Sequence, residues 1–239
     1  MHVVDGLREV ESRIDRAVGD AGRKPGEVTL VAVSKTFPAE PICAAAIYGQ
    51  RHFGESYVQE ALPKIAEVQA LLAAGATSTE GAPLQPLVWH FIGPVQSNKT
   101  REIAAHFDWV HGVEREKIAR RLSEQRPDAL SPLNVCIQVN ISGEASKSGV
   151  APEDVAALAA LVSGMQRLKL RGLMAIPEPG GDPRPRFRLL RSLRDALNAQ
   201  GMALDTLSMG MSGDFEIAIA EGATLVRVGS AIFGKRTYA

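Results

Sequence analysis

This chain of 239 residues has no surplus charge, almost no cysteine and no long apolar run. Lysine plus arginine come to 27 and aspartate plus glutamate to 27, so the formal net charge is zero. That balance removes the simplest electrostatic case for a partner such as nucleic acid or an anionic membrane. The one dense basic run, Arg184, Arg186, Arg188, Arg191 and Arg194, reads as a solvated helix face. Cys43 and Cys136 are the only cysteines, with neither a metal spacing nor a disulfide framework. Two free thiols suit a reducing cytoplasm. The first residues carry Asp5, Glu9 and Glu11 among apolar ones, which argues against a signal peptide. No apolar run approaches the roughly 20 residues that span a bilayer. The expectation is a soluble, cytoplasmic protein with no metal site.

What the chain does have is regular alternation. Val3, Leu7, Val10, Ile14 and Ala17 recur at helical spacing, a helix placed before any strand. The β-branched, apolar stretch 29–36 reads as a buried strand with Lys35 at its end. Pro38 and Pro41 open a helix that Gly49 closes. Further strands are expected over 51–55, 87–92, 108–111, 134–141, 170–176, 205–209 and 224–228. Helices are expected between them. The one after the second strand begins at Ser56, with Gln59 completing a capping box and a kink or break at Pro63. Residues 75–86 form a loop of small residues and proline, expected to be the most mobile segment away from the termini. Residues 142–149 form a polar loop.

Strict β/α alternation implies parallel strands, and eight units close into a single α/β domain over residues 1–239. This is a (β/α)8 barrel of the TIM type with an extra N-terminal helix. An open doubly wound sheet is the alternative.

In such barrels chemistry sits at the C-terminal strand ends, where Lys35 falls. An amine buried at the mouth of an apolar strand loses pKa and becomes a nucleophile for an aldehyde, whereas a solvated lysine does nothing. Phosphate sites in barrels use the loops after the last two strands. Here these carry Ser208, Gly210, Ser212 and Gly213 after the seventh strand, and Gly229 and Ser230 at the start of a one-turn helix after the eighth. Each turn alone reads equally as a helix cap. Arg227 interrupts an apolar strand and points either inward, toward a ligand, or outward. His90 reads as an acid/base group or a satisfied core histidine. Lys99 and Lys147 are rivals to Lys35. No catalytic triad, carboxylate pair or metal cluster stands out.

Together these segments resemble the pyridoxal-phosphate homeostasis protein family, whose barrel is similar to that of alanine racemase and other fold-type III enzymes. The resemblance rests on Val31-Ala32-Val33-Ser34-Lys35-Thr36, His52-Phe53-Gly54-Glu55, Tyr57-Val58-Gln59-Glu60, Trp89-His90-Phe91-Ile92-Gly93-Pro94-Val95-Gln96-Ser97-Asn98-Lys99, Ser146-Lys147-Ser148-Gly149, Arg171-Gly172-Leu173-Met174-Ala175-Ile176-Pro177, Ser208-Met209-Gly210-Met211-Ser212 and Val226-Arg227-Val228-Gly229-Ser230-Ala231-Ile232-Phe233-Gly234. It implies that Lys35 forms an internal aldimine with pyridoxal 5′-phosphate. It also implies that Ser212, Gly229 and Ser230 hold the phosphate with Ser208 nearby, and that Arg227 faces the pyridine nitrogen. An arginine keeps its proton, so that nitrogen stays unprotonated and the cofactor is a weak electron sink. One departure is Ser56, where the family pattern has asparagine.

The resemblance favours a carrier that buffers or delivers the cofactor in vitamin B6 homeostasis, with little turnover and with pyridoxal-phosphate-dependent apo-enzymes as partners. A fold-type III racemase is the second reading. The chain lacks length for the β domain that supplies such racemases with a tyrosine and a dimer contact, which also favours a monomer. A barrel for another phosphorylated metabolite is the third reading, and it leaves Lys35 unexplained.

Overall fold

The structure is a computed structural model, and it describes residues 3–74, 83–142, 148–178 and 180–234. Eight parallel strands close into a barrel in chain order. They are β1 (Thr29–Val33), β2 (His52–Glu55), β3 (Val88–Phe91), β4 (Trp109–Val113), β5 (Leu133–Gln138), β6 (Leu168–Met174), β7 (Thr206–Ser208) and β8 (Leu225–Val228). The helix α1 (Val3–Asp20) precedes them. The helices that follow the strands are α2 (Ala39–Tyr48), α3 (Val58–Ala73), α4 (Thr100–His106), α5 (Glu116–Gln125), α6 (Val155–Ser163), α7 (Arg184–Ala199), α8 (Phe215–Ala220) and α9 (Ser230–Phe233). The expected barrel and the extra N-terminal helix are both present. The main core lies between the strands and the helix ring, where residues such as Leu7, Phe53, Ile103, Leu122 and Phe215 are fully buried. A second apolar cluster, Val31, Trp109, Cys136, Met174 and Leu225, lies inside the barrel.

The barrel closes where β1 meets β8, with Thr29 opposite Leu225 and Ala32 opposite Val228. α1 covers this closure and packs against α2, α8 and α9. Gly6 makes that packing possible: a β-carbon there would stand 2.6 Å from the Ile232 carbonyl oxygen. Arg23, just past α1, donates to the carbonyls of Ile219 and Ala223 at the end of α8. The Ile219 carbonyl also accepts from the Gly222 amide at 3.0 Å, so the arginine adds a second donor there and holds the turn that follows α8.

Several local expectations change. Residues 75–82 and 143–147 fall outside the described residues, so most of the loop expected to be mobile and most of the polar loop are not described. The capping box at Ser56 does not form. α3 begins at Val58, and its preceding residue Tyr57 makes no side-chain cap. α3 also runs through Pro63 without a break. The hydrogen bond that proline cannot make would have gone to the carbonyl of Gln59, an exposed residue in the first turn. β5 ends at Gln138 rather than 141, with Val139 making only a bridge to Val150. The arginines of α7 are not simply solvated. Arg188 and Arg191 pair with Glu221 at 2.9 Å and 3.5 Å, tying α7 to the end of α8.

Candidate functional site

β1 ends one residue before Ser34, so Lys35 sits on a turn rather than in the strand. The turn is closed by the Phe37 amide donating to the Ser34 carbonyl at 3.1 Å. Thr36, at its third position, has φ 70°, a left-handed conformation that β-branched residues rarely take. A buried cluster holds this turn. Ser34 Oγ donates to Glu55 Oε1 at 2.7 Å, and the Thr36 amide donates to Glu60 Oε1 at 2.5 Å. Lys64 joins the two carboxylates, donating to Glu55 at 3.0 Å and to Glu60 at 2.6 Å, and also to the Ser34 carbonyl at 3.1 Å. Burial pushes the Glu55 carboxyl up, against the opposing pull of Lys64 and of the Ser34 hydroxyl. Both residues flanking Lys35 are therefore fixed from the side of β2 and α3.

Lys35 lines a cavity of about 270 Å³ together with Val33, Ile92, Ile176 and Met211. Its far wall is Ser212, Gly213, Arg227, Gly229 and Ser230. These residues lie at or just beyond the C-terminal ends of β1, β3, β6, β7 and β8, the chemistry-bearing end of a barrel. Among the described residues, the amides of Ser212, Gly213 and Gly229 make no hydrogen bond, so three backbone donors stand available at the wall. Gly229 leaves a side chain only tight space, because a β-carbon there would stand 3.1 Å from the Val33 carbonyl oxygen and 3.2 Å from the Val33 β-carbon. The cup thus packs directly on the end of β1. Free amides and serine hydroxyls at such a turn suit a dianionic phosphate.

Arg227 points inward and is 4% exposed. It donates to Ser208 Oγ at 2.5 Å and to the Ala175 carbonyl at 3.0 Å. Burial pushes its pKa down to about 10, which leaves it cationic at neutral pH. Ser208 is fully buried behind Arg227 and is absent from the cavity wall. Its hydroxyl is spent on Arg227 and on His111.

Of the rival lysines, Lys99 is not part of the wall. Lys99 pairs with Glu102 at 3.1 Å and lines a separate notch with Ser56, Tyr57 and Gln96. The serine that replaces the expected asparagine therefore faces that notch. Lys147 lies outside the described residues. His90 is fully buried and bonded to two other histidines, so it is a satisfied interior residue. A larger hollow of about 510 Å³, lined by Leu87, Phe107 and Asp108, lies at the opposite end of the strands, away from Lys35.

Sequence reasoning missed Lys64 and the buried roles of Glu55, His52 and His111. The histidines share a signal that was available: His52, His90 and His111 fall in the inward phase of three consecutive strands. Lys64 had none, since a lysine in an amphipathic helix usually faces water.

The family described as alanine racemase, N-terminal domain, matches residues 7–237. A pyridoxal phosphate homeostasis protein of Pseudomonas aeruginosa is 55% identical over 236 residues, spanning 99% of this chain and 96% of its own. The structure of PipY from Synechococcus elongatus PCC7942, with pyridoxal phosphate bound, superposes with a TM-score of 0.78 at 36% identity, covering 93% of this chain and 100% of that one. Alanine racemase from Corynebacterium glutamicum superposes at 0.66 with 16% identity, over 99% of this chain and 62% of its own, a likeness of fold alone.

Proposed function

We propose, for a chain that belongs to the alanine racemase N-terminal domain family and within it to the pyridoxal phosphate homeostasis proteins, that the cavity at Lys35 is the place where pyridoxal 5′-phosphate is held. The protein binds this cofactor and serves vitamin B6 homeostasis, and the proposal concerns how. The observation that carries it is the pairing of one amine with an anion cup across a single cavity. Lys35 supplies an amine that condenses with the cofactor's aldehyde, releasing water. Ser212, Gly229 and Ser230 supply the donors for the phosphate. Arg227 lies between them and faces the ring nitrogen, with Ser208 behind it as its support. Arginine offers donors only and keeps its proton at neutral pH, so the ring nitrogen gains no proton from it.

Binding with little turnover is the reading the site favours over racemisation. A racemase needs a second acid or base opposite the lysine. The described lining residues include no tyrosine and no carboxylate. Tyr48 instead donates to Glu11 at 2.9 Å on the outer face, and Tyr57 is exposed beside the separate notch. A cytoplasmic monomer that passes the cofactor to apo-enzymes is the role this arrangement fits. Among the described residues no helix is long and apolar enough to cross a membrane.

Borohydride reduction of the loaded protein, followed by peptide mapping, tests the site. The label is expected on Lys35, and Lys35→Ala should lose the visible absorption. Colour that survives in Lys35→Ala, with label on Lys99 or Lys147, would reject the assignment. Deuterium wash-in at the α-carbon of common amino acids tests the second claim. Steady exchange at enzymatic rates would favour the racemase.

A further inference from the structure

A row of polar side chains crosses the inside of the barrel beneath Arg227. Arg227 Nη1 lies 2.5 Å from Ser208 Oγ, which lies 2.7 Å from His111 Nδ1. His111 Nε2 is 2.9 Å from His90 Nδ1, and His90 Nε2 is 2.9 Å from His52 Nδ1. Ser208, His111 and His90 are fully buried, and His52 is half-buried at the end of the row. Apolar Val31, Trp109, Cys136, Met174 and Leu225 form a cluster in the same interior. Trp109 stacks on His90 at a ring separation of 5.4 Å.

The arginine end gives the row a direction. Arginine only donates, so Ser208 Oγ accepts from it, and in the row proposed here the hydroxyl donates its own hydrogen bond onward to His111 Nδ1. His111 then carries its proton on Nε2 and donates to His90 Nδ1. His90 likewise carries its proton on Nε2 and donates to His52 Nδ1. Burial disfavours a charge on His90 and on His111, which agrees with one proton per ring. Each bond in the row depends on the tautomer set by its neighbour. A break at any ring leaves a buried donor or acceptor unmatched, which the low-dielectric interior makes costly.

We propose that Ser208, His111, His90 and His52 are positioning residues, a one-way hydrogen-bond relay that fixes Arg227 against the ring nitrogen of pyridoxal phosphate and makes that contact depend on groups deep in the barrel. The proposal rests on the reading that the Lys35 cavity holds this cofactor. It assigns a role to the three interior histidines that neither phosphate binding nor the lysine requires. It also separates Ser208 from the phosphate cup.

Two measurements on the full-length protein test it. With 15N-labelled histidine and no cofactor, His90 and His111 are expected as the tautomer protonated on Nε2. Protonation of either on Nδ1 reverses the row and overturns the proposal. The second measurement uses pyridoxal phosphate labelled with 15N in its ring. His111→Leu and Ser208→Ala should each move the ring nitrogen resonance and weaken cofactor binding about tenfold, the size expected for one hydrogen bond to a charged group. His111→Asn places an amide oxygen near the position of Nδ1, and Ser208→Thr keeps the hydroxyl, so both should restore the wild-type resonance. The Ser208 pair carries the test if His111→Leu does not fold. Bound cofactor with an unmoved resonance in Ser208→Ala overturns the relay alone. Failure of the wild-type protein to bind pyridoxal phosphate would instead overturn the function on which the relay rests.

Discussion

Lys64→Met should be among the most damaging single changes outside the cofactor wall. The lysine is 6% exposed and the Glu55 it neutralises is fully buried. It donates to Glu55 at 3.0 Å, to Glu60 at 2.6 Å and to the Ser34 carbonyl at 3.1 Å. Methionine fills the space and leaves the Glu55 charge buried, with only the Ser34 hydroxyl donating to it. Removing one partner of a buried ion pair costs ~3–5 kcal/mol. The whole domain is stable by roughly 5–15 kcal/mol, so a third or more of it can be lost. At about 2–4 °C per kcal/mol for a chain of this size, thermal unfolding followed by circular dichroism should fall by roughly 6–20 °C. The pH dependence adds a sign. Burial already raises the Glu55 carboxyl from 4.5, and removing Lys64 raises it further. On acidification the folded variant takes up that proton before the unfolded chain does, so the deficit should shrink as pH falls toward 4.5. Glu55→Gln in the Lys64→Met background should recover most of the loss at neutral pH. A deficit below about 1 kcal/mol, or one that does not change with pH, would refute the reasoning, since surface pairs are worth that little.

Gly6→Ala replaces a poor helix former with a good one, worth up to ~1 kcal/mol in isolation. Its β-carbon would nevertheless stand 2.6 Å from the Ile232 carbonyl oxygen, so overpacking of ~1–3 kcal/mol should win and displace α9. A lower melting temperature with weaker cofactor binding is expected, and a rise in melting temperature would contradict it. Ser212→Ala and Ser230→Ala should each weaken pyridoxal phosphate binding by ~1.5–3 kcal/mol, as read by fluorescence titration; unchanged affinity would count against the phosphate cup. Burial lowers the pKa of His52, His90 and His111 below 6.5. The unfolded chain therefore binds protons that the folded one refuses, and stability should fall as pH drops through 6.5, by up to about 1.4 kcal/mol per pH unit for each histidine. Urea unfolding at pH 7 and pH 5 measures this slope, and a flat profile would argue against neutral interior histidines.

The barrel was legible because its signal is repeated: short apolar strands alternate with helices eight times, so errors at single boundaries do not change the count. Those boundaries moved where side-chain chemistry competes with the backbone. Ser56 offered a cap that the chain does not use, and Pro63 offered a break that the helix absorbs. The cavity residues were legible one by one, and Lys35, Ser212, Arg227, Gly229 and Ser230 do line one cavity. Ser208 did not join them, because its register in β7 places the hydroxyl behind Arg227. The buried cluster at Glu55 was not legible, and of the histidine row only the inward phase was, not the pairing. Both are long-range pairings between strands or between a strand and a helix, and a linear pattern carries no record of which inward-facing residues meet. His111 and Ser208, for instance, are 97 positions apart.

The closure of β1 on β8 has a consequence for how the chain is made. Lys35 follows the first strand of the barrel and Gly229 and Ser230 follow the last, so the two sides of the cavity exist together only once all eight strands have been made. A ligand held at both Lys35 and Gly229, as proposed above, would span the seam between β1 and β8. It would tie the ring shut, stabilising the closed form in proportion to the logarithm of its concentration over its dissociation constant. Without that ligand the barrel would open more often at the seam, and the exposed chain there would be open to proteolysis.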